Sequence, residues 1–248
     1  MIYIISDIYQ FKINTFSMEI IKDVSNCKDC VYRSWAFKNL TPDELNLINE
    51  KKVEKFYRKG ENIYIEGDPV HSFLYLQNGL IKLFKTEPNH KEHIISIAKP
   101  KDFIGLLSIF SNMDHSYSIT AIEDSIICFV DLDIIKNLIK TNGNFALDFF
   151  KKISILSDSI IKTRVDINTR QLRGRIAYIL LFFAQNIYNA KKFNLPISRK
   201  EIADLIDMST ENVIRVLSEF RKDGLIQIEG KNIVINDIER LQKIYDLG

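Results

Sequence analysis

Ser198-Arg-Lys-Glu-Ile-Ala-Asp-Leu-Ile-Asp-Met-Ser-Thr-Glu-Asn-Val-Ile-Arg-Val-Leu-Ser-Glu-Phe-Arg-Lys222 is the stretch whose reading decides the fold. Ser198 and Glu201 form a capping box, with Pro196 just before it, and so open a helix. Ile202, Ala203 and Ile206 give that helix an apolar face, and the small Ala203 lets a second helix cross closely. Asp207-Met208 makes the turn, where Asp207 takes the left-handed position usually given to glycine. Ser209 then caps a second helix running to Lys222. On that helix Val213, Val216, Leu217 and Phe220 fall within an arc of about 100° that turns inward. Thr210, Glu211, Ile214 and Arg215 occupy a different arc, presented outward at the N-terminal end, where a recognition helix meets base edges in the major groove. Arg215 has the fork for guanine O6 and N7, Glu211 accepts from a cytosine amine, and Ile214 meets a thymine methyl. Arg199, Lys200, Ser209 and Lys231 are expected on phosphates, which set register without reading sequence. Asp223-Gly224 ends the helix, and Ile226–Ile228 with Ile233–Ile235 form a hairpin that reads as a wing. The partner implied is double-stranded DNA, against the blander reading of a plain small helical domain.

Upstream, from about Leu40 to Phe129, short apolar runs are broken by turn signals at Gly60, Glu66-Gly67-Asp68-Pro69, Asn78-Gly79 and Glu87-Pro88-Asn89. Asn62–Ile65, Phe73–Leu76, Leu80–Phe84, His93–Ile97 and Ser116–Thr120 are predicted strands, with Asn78-Gly79 read as a hairpin. Such spacing predicts a sandwich or barrel. Thr41-Pro42-Asp43-Glu44 is a capping box that opens a helix to about Lys51. After Asp131 the period changes: Phe149, Ile153, Leu156, Ile160, Thr163 and Ile167 are spaced 4, 3, 4, 3 and 4, an a/d seam. A seam wants a partner, and periodicity alone leaves open whether that is a second chain or the strand domain of the same chain. Another helix is expected from about Arg170 to Asn189. The fold class is therefore α+β, divided into an N-terminal segment 1–39, a strand domain 40–140, a seam helix 141–169 and a winged helix-turn-helix 170–248.

The 248 residues, 46% hydrophobic and 27% charged, suit a globular chain with its own core and exclude collagen, mini-protein and disordered classes. No run of eighteen apolar residues lacks a charge, so no membrane partner is expected. Met1–Phe16 contains Asp7 and Lys12 and makes a poor signal peptide, and Met18 is a second candidate start. Residues 170–248 carry 13 Lys/Arg against 10 Asp/Glu, a small positive excess where DNA is expected. Three cysteines, Cys27, Cys30 and Cys128, indicate a reducing cytoplasm rather than a disulfide framework. An oxidoreductase would want Cys27 and Cys30 in a βαβ unit, which the surrounding sequence lacks, so no enzyme is expected. A metal-binding β-barrel would want clustered histidines, and of His71, His90, His93 and His115 only His90 and His93 are close, in a lysine-rich turn.

Lys59-Gly60, Glu66-Gly67-Asp68, Asn78-Gly79-Leu80-Ile81, Asp102-Phe103-Ile104-Gly105, Arg175-Ile176-Ala177 and Ser209–Arg215 together resemble the CRP/FNR family of bacterial transcription regulators, from about Cys27 to the end. The resemblance implies a β-roll of the cyclic-nucleotide-binding kind as sensor, a dimerisation helix matching the seam, a winged helix-turn-helix, and recruitment of RNA polymerase by a DNA-bound homodimer. It places Glu211 and Arg215 on the G·C pair of a TGA-type half-site. Ile214 departs from the serine or glycine of the family. Cyclic-nucleotide members carry a glutamate where this chain has Leu106, and an Arg-Ser pair where it has His115-Ser116. Leu106 cannot bond a ribose hydroxyl and a neutral imidazole is no guanidinium fork, so binding of cyclic AMP is disfavoured. Cys27, Cys30 and Cys128 match three of the four positions that hold the oxygen-sensitive [4Fe–4S] cluster in FNR. The fourth falls near Trp35 or Ala36, so a cluster here would need a carboxylate, a histidine or a small molecule as its remaining ligand. A disulfide-forming thiol pair and cofactor-free cysteines stand as the other readings. The signal expected is redox state, oxygen or nitrosative stress, with a small-ligand regulator lacking a cluster as the alternative.

Overall fold

The computed structural model describes residues 19–20, 27, 30, 34–88, 91–110 and 114–248. The readings placed on Met1–Phe16, Met18, Asn89 and His90 lie outside the described residues. The Thr41 hydroxyl accepts from the Glu44 amide and Glu44 answers the Thr41 amide, so the expected box opens α1 (Pro42–Lys51).

Around α1 the chain lays down β1 (Glu19–Ile20), β2 (Val53–Tyr57), β3 (Asn62–Tyr64), β4 (Ser72–Asn78), β5 (Ile81–Thr86), β6 (Glu92–Ala98), β7 (Phe103–Ile104), β8 (Ser118–Ala121) and β9 (Ser125–Asp131), with a short α2 (Leu106–Ile109) after β7. These strands form two antiparallel sheets, β1-β2-β9-β4-β7 and β3-β8-β5-β6. Between them Leu74, Leu76, Ile81, Ile104, Ile119 and Ile127 form a closed apolar core, as a half-buried alternating strand requires. The roll is thus present, with one correction. Asn78-Gly79 is no hairpin, because β4 pairs with β9 and β7 while β5 pairs with β6 and β8. The turn carries the chain from one sheet to the other, at a corner where Gly79 has φ 86° and a Cβ would strike Ser125 and the Asp124 carbonyl.

The helical part follows: α3 (Leu132–Thr141), α4 (Gly143–Thr169) and α5 (Leu172–Leu181), the last passing into a π-helical turn over Phe182–Ile187 rather than continuing as one helix. Then come β10 (Lys192–Asn194), α6 (Arg199–Ile206), α7 (Thr210–Lys222), β11 (Ile226–Glu229), β12 (Asn232–Ile235) and α8 (Ile238–Leu247). The wing has a third strand, β10, paired with β12. The helix α8, unannounced by the sequence reading, packs Leu241 into the winged-helix core, with Ile244 and Tyr245 against its edge.

On α4 the seam faces its own chain. Phe149 and Ile167 are each 1% exposed, Phe149 in the aromatic layer beneath the roll and Ile167 in the winged-helix core. Ile153 and Leu156 pack against the same layer as Phe149, Thr163 shares a hydrogen bond with the Tyr178 hydroxyl at 3.2 Å, and Ile160 lines a cavity with Tyr178 and Phe182. Phe149 and Ile167 are thus enclosed by their own chain, whereas Ile153, Leu156, Ile160 and Thr163, the residues between them on the seam expected at a dimer interface, stay half-exposed and keep area for a second chain. More exposed on α4 are Leu147 70%, Phe150 58%, Ile155 51%, Ile161 62% and Val165 54%. At helical spacing all of these but Ile155 fall within an arc of about 60°.

The winged helix is docked on the roll. Leu80, Phe84, Ile94 and Ile122 of the roll join its core. Lys82 on β5, its side chain 7% exposed, bridges Glu92 at 2.5 Å and Glu201 of α6 at 2.9 Å. Lys59 Nζ donates to the Pro196 carbonyl at 2.6 Å and Arg164 to that of Ile94 at 2.9 Å. For Glu201, burial alone would raise the carboxyl pKa, but hydrogen bonds from Ser198 and the Lys82 ammonium outweigh it and hold the group below 4.5. A carboxylate depressed in the folded state adds stability above its unfolded pKa and loses it as pH falls through the folded value. We expect thermal stability to fall below about pH 4.5 and Glu201→Gln to flatten that part of the profile. A Gln variant whose melting temperature tracks the parent's through this range would refute the coupling.

Candidate functional site

The recognition surface is built by α6, its turn and α7. Ser198 and Glu201 cap α6 reciprocally, and the chain leaves it through Asp207 at φ 55°, ψ 55°, the left-handed turn expected there. Arg175 braces this turn from α5, its guanidinium donating to the carbonyls of Ile206 at 3.2 Å and Asp207 at 2.9 Å. Ser209 accepts from the Asn212 amide at 3.2 Å and so starts α7. Val213, Val216, Leu217 and Phe220 are buried, which fixes the roll of α7 about its axis. Glu211, Ile214 and Arg215 are consequently exposed, and Thr210 is half-exposed beside them. Backbone and Ser209 hydrogen bonds at the helix start lower the Glu211 pKa, keeping it an ionised acceptor. The Arg215 guanidinium is held by Glu219 Oε1 at 2.6 Å and Asn212 Oδ1 at 3.3 Å, and Glu219 is itself tied to Arg173 at 3.0 Å. This chain of contacts stands the Arg215 fork on the outer face before any base arrives.

The four residues expected on phosphates are placed unevenly. Lys200 and Ser209 are exposed at the starts of α6 and α7. Arg199 is half-buried and donates to the Gly230 carbonyl at 3.1 Å, tying α6 to the wing. Lys231 lies with Lys59 and Pro196 in a cleft between roll and wing, away from Glu211, Ile214 and Arg215. The sequence reading missed Ser218, Arg221 and Lys222, which line shallow grooves with Ile214 one and two turns further along α7. Their signal was their spacing of four, seven and eight residues from Ile214.

The second constellation is in the sensor. Cys27 and Cys30, and Cys128 about a hundred residues further along, line one apolar cavity of about 40 Å³ with Lys52 and Tyr75. Lys52 Nζ lies 2.8 Å from Glu54 Oε1, the two side chains 2% and 3% exposed. Cys128 Sγ lies 3.8 Å from the same oxygen. Burial pushes the Cys128 thiol far up, and raises Cys27 against the opposing pull of the Lys52 ammonium. Among the described residues no three of Cys, His, Asp and Glu are grouped so as to hold a metal ion. The shared cavity has room for about three waters, and no fourth ligand is grouped with the cysteines among the described residues. The [4Fe–4S] expectation thus disagrees with the arrangement of its own ligands.

The residues that would hold a cyclic nucleotide do not fit one either. Leu106 is buried in the aromatic layer. His115 lies in the loop before β8 and is buried, stacked on Tyr64 at 4.1 Å, with neither ring nitrogen bonded to protein. Burial lowers its pKa, so the ring is neutral and supplies no charge for phosphate.

A roll, a long helix and a docked winged helix with an outward-facing recognition helix define a DNA-binding regulator that carries its sensor on the same chain. Two family models agree: a cyclic nucleotide-binding domain matches residues 54–142, and a Crp-like helix-turn-helix domain matches residues 174–244. The chain belongs to the CRP/FNR family of transcription regulators. It is similar to electron transport regulator A of Shewanella oneidensis, 29% identical over 204 residues, 80% of each chain. It is also similar to the CRP-like cAMP-activated global transcriptional regulator of Mycobacterium tuberculosis, 25% identical over 85% of this chain and 96% of that one. In fold it resembles FixK2 from Bradyrhizobium japonicum, with a TM-score of 0.71 and 23% identity over 78% of this chain and 96% of that one. No helix among the described residues is long and apolar enough to cross a membrane.

Proposed function

We propose that this regulator binds, as a homodimer in the cytoplasm, a palindromic site with TGA-type half-sites, recruits RNA polymerase there, and senses redox state through its three-cysteine pocket. The observation that carries the DNA reading is the outer face of α7, where Glu211, Ile214 and Arg215 stand clear of the core. Glu211 and Arg215 supply the acceptor and the bidentate donor that a C·G pair demands. The homodimer is supported by the uncovered stripe Leu147, Phe150, Ile161 and Val165, an apolar face on a helix long enough to run beside its copy. Redox sensing is supported by the thiol pocket and by the similarity to an electron transport regulator and to the anaerobic regulatory protein of Pasteurella multocida, 26% identical over 87% of this chain. The test is a titration of a TGA-containing palindrome against a scrambled duplex at several salt concentrations, with reduced and oxidised protein. Selective binding that changes with redox state is expected, and equal affinity for both duplexes would overturn the reading.

A second reading of the signal is favoured by one cavity. About 260 Å³ lies between β5 to β8, α4 and α5, lined by Tyr117, Ile160, Thr163, Tyr178 and Phe182, with Lys152 and Asp102 at its edge. Touching sensor, seam helix and DNA-binding unit together, it suits a largely apolar small molecule better than a nucleotide.

A further inference from the structure

We propose that Cys27 and Cys30 form a reversible disulfide on reaction with hydrogen peroxide, with the buried Lys52 ammonium as the counter-charge of the attacking Cys27 thiolate. The inference rests on the redox reading above and names its chemistry. A buried Lys–Glu pair is costly and is often replaceable by apolar residues without loss. Here the pair lies among three thiols. Lys52 spans Glu54 at 2.8 Å and, on its other side, donates to the Cys27 sulfur. Burial holds the Cys27 thiol above its ordinary pKa and the Lys52 ammonium pulls it back down, so loss of Lys52 disfavours the thiolate further. Cys27 is half-exposed and Cys128 is buried, so the outer sulfur meets an oxidant first. Cys128, in contact with the Glu54 carboxylate rather than the ammonium, is kept a thiol and is a spectator.

Cys30, three residues along in sequence and lining the same cavity, is the resolving partner. Hydrogen peroxide is small enough for the cavity's space of about three waters. The Cys27 thiolate attacks one peroxide oxygen, the O–O bond breaks, and hydroxide leaves to be protonated to water, giving Cys27 sulfenic acid. The Cys30 sulfur then attacks the Cys27 sulfur, the S–O bond breaks, and the proton of Cys30 leaves with the hydroxyl as a second water. Two thiols are oxidised by two electrons, and one peroxide is reduced to two waters. The product removes the thiolate from Lys52 and leaves the ammonium to Glu54 alone. Glu54 pairs across the sheet with Cys128 of β9, and β9 runs directly into α3 and α4, which carry any shift toward the DNA-binding unit.

The test uses the full chain, reduced, exposed to stoichiometric hydrogen peroxide, trapped with iodoacetamide and mapped by peptide mass spectrometry, with DNA affinity measured in parallel. A Cys27–Cys30 bridge is expected with Cys128 alkylated, reversed by dithiothreitol and absent in Cys30→Ser. A bridge through Cys128, or both Cys27 and Cys30 recovered alkylated, overturns the proposal. In Lys52→Met/Glu54→Gln, which removes both buried charges together and so spares the fold, alkylation of Cys27 slows about tenfold. An unchanged rate overturns the role of Lys52. The bridge without a change in DNA affinity sustains this chemistry and removes the redox reading. A peroxide-driven change in DNA affinity without the bridge does the reverse.

Discussion

Arg215→Ala leaves the fold intact and abolishes discrimination between specific and scrambled DNA. The residue is exposed, and its ties to Glu219 and Asn212 lie on the surface of α7, where such pairs contribute little to stability. Its absence costs the guanine its two-pronged donor, about 1–3 kcal/mol per half-site. In a symmetric dimer both half-sites lose it, so specific affinity falls by about 2–6 kcal/mol, roughly thirtyfold to twenty-thousandfold. Phosphate contacts from Lys200 and its neighbours persist, so the scrambled duplex is held nearly as before and the salt dependence stays steep. Arg215→Lys keeps the charge without the fork and is expected to retain non-specific binding and restore little discrimination. Fluorescence anisotropy on both duplexes across a salt series measures the ratio. Should Arg215→Ala keep the parent's specific to non-specific ratio, α7 does not read the site in the way proposed.

What was legible in the sequence was local. Capping boxes at Thr41 and Ser198 and the cap at Ser209 depend on residues three apart, and all three start the helices they announced. Asp207 had to take a left-handed backbone if α6 and α7 were to cross at Ala203, and it does. The periodicity of α7 separated its buried face from its exposed one without reference to any neighbour. Errors arose where one local signal has two tertiary answers. Asn78-Gly79 fits a hairpin and a corner equally, and the choice depends on Ser125 and Asp124, which press on Gly79 from distant sequence. The a/d seam of α4 records that one face packs but not on what: Phe149 and Ile167 are enclosed within the chain, and the four seam residues between them stay half-exposed. His115 lies in a loop, and its burial was not legible because nothing in its neighbours announces that Tyr64 will stack on it. The thiol pocket was half legible. The cysteines were conspicuous, but Lys52 and Glu54 read as ordinary charges in a stretch rich in them, and only the pairing of β2 with β9 brings Glu54 opposite Cys128.

The two faces of α4 make opposite demands, and a crossed pair of substitutions separates them. Phe149 sits in contact with Phe73, Phe103, Phe110 and Phe145, ring centroids 5.9–6.0 Å away. Phe149→Ala removes the ring from a layer that cannot collapse onto the gap, because strands and helices both anchor it, and costs about 3–5 kcal/mol. In a chain of this length that lowers the melting temperature by roughly 6–20 °C. Ile161 stands on the uncovered stripe, where an aspartate meets water in the monomer and costs the fold little. In a dimer joined along α4 the same aspartate is buried, brought near its own copy and left unpaired. Ile161→Asp is therefore expected to melt like the parent yet sediment as a monomer. Its affinity for the palindrome falls by about 100-fold or more, since one recognition helix loses the effective concentration that its tethered twin supplied. Phe149→Ala, at temperatures where it stays folded, sediments as the parent does. Analytical ultracentrifugation and thermal melts on both proteins decide the matter. If Phe149→Ala dissociates the protein without lowering its melting temperature, or Ile161→Asp leaves association untouched, the exposed stripe is not where the two chains meet.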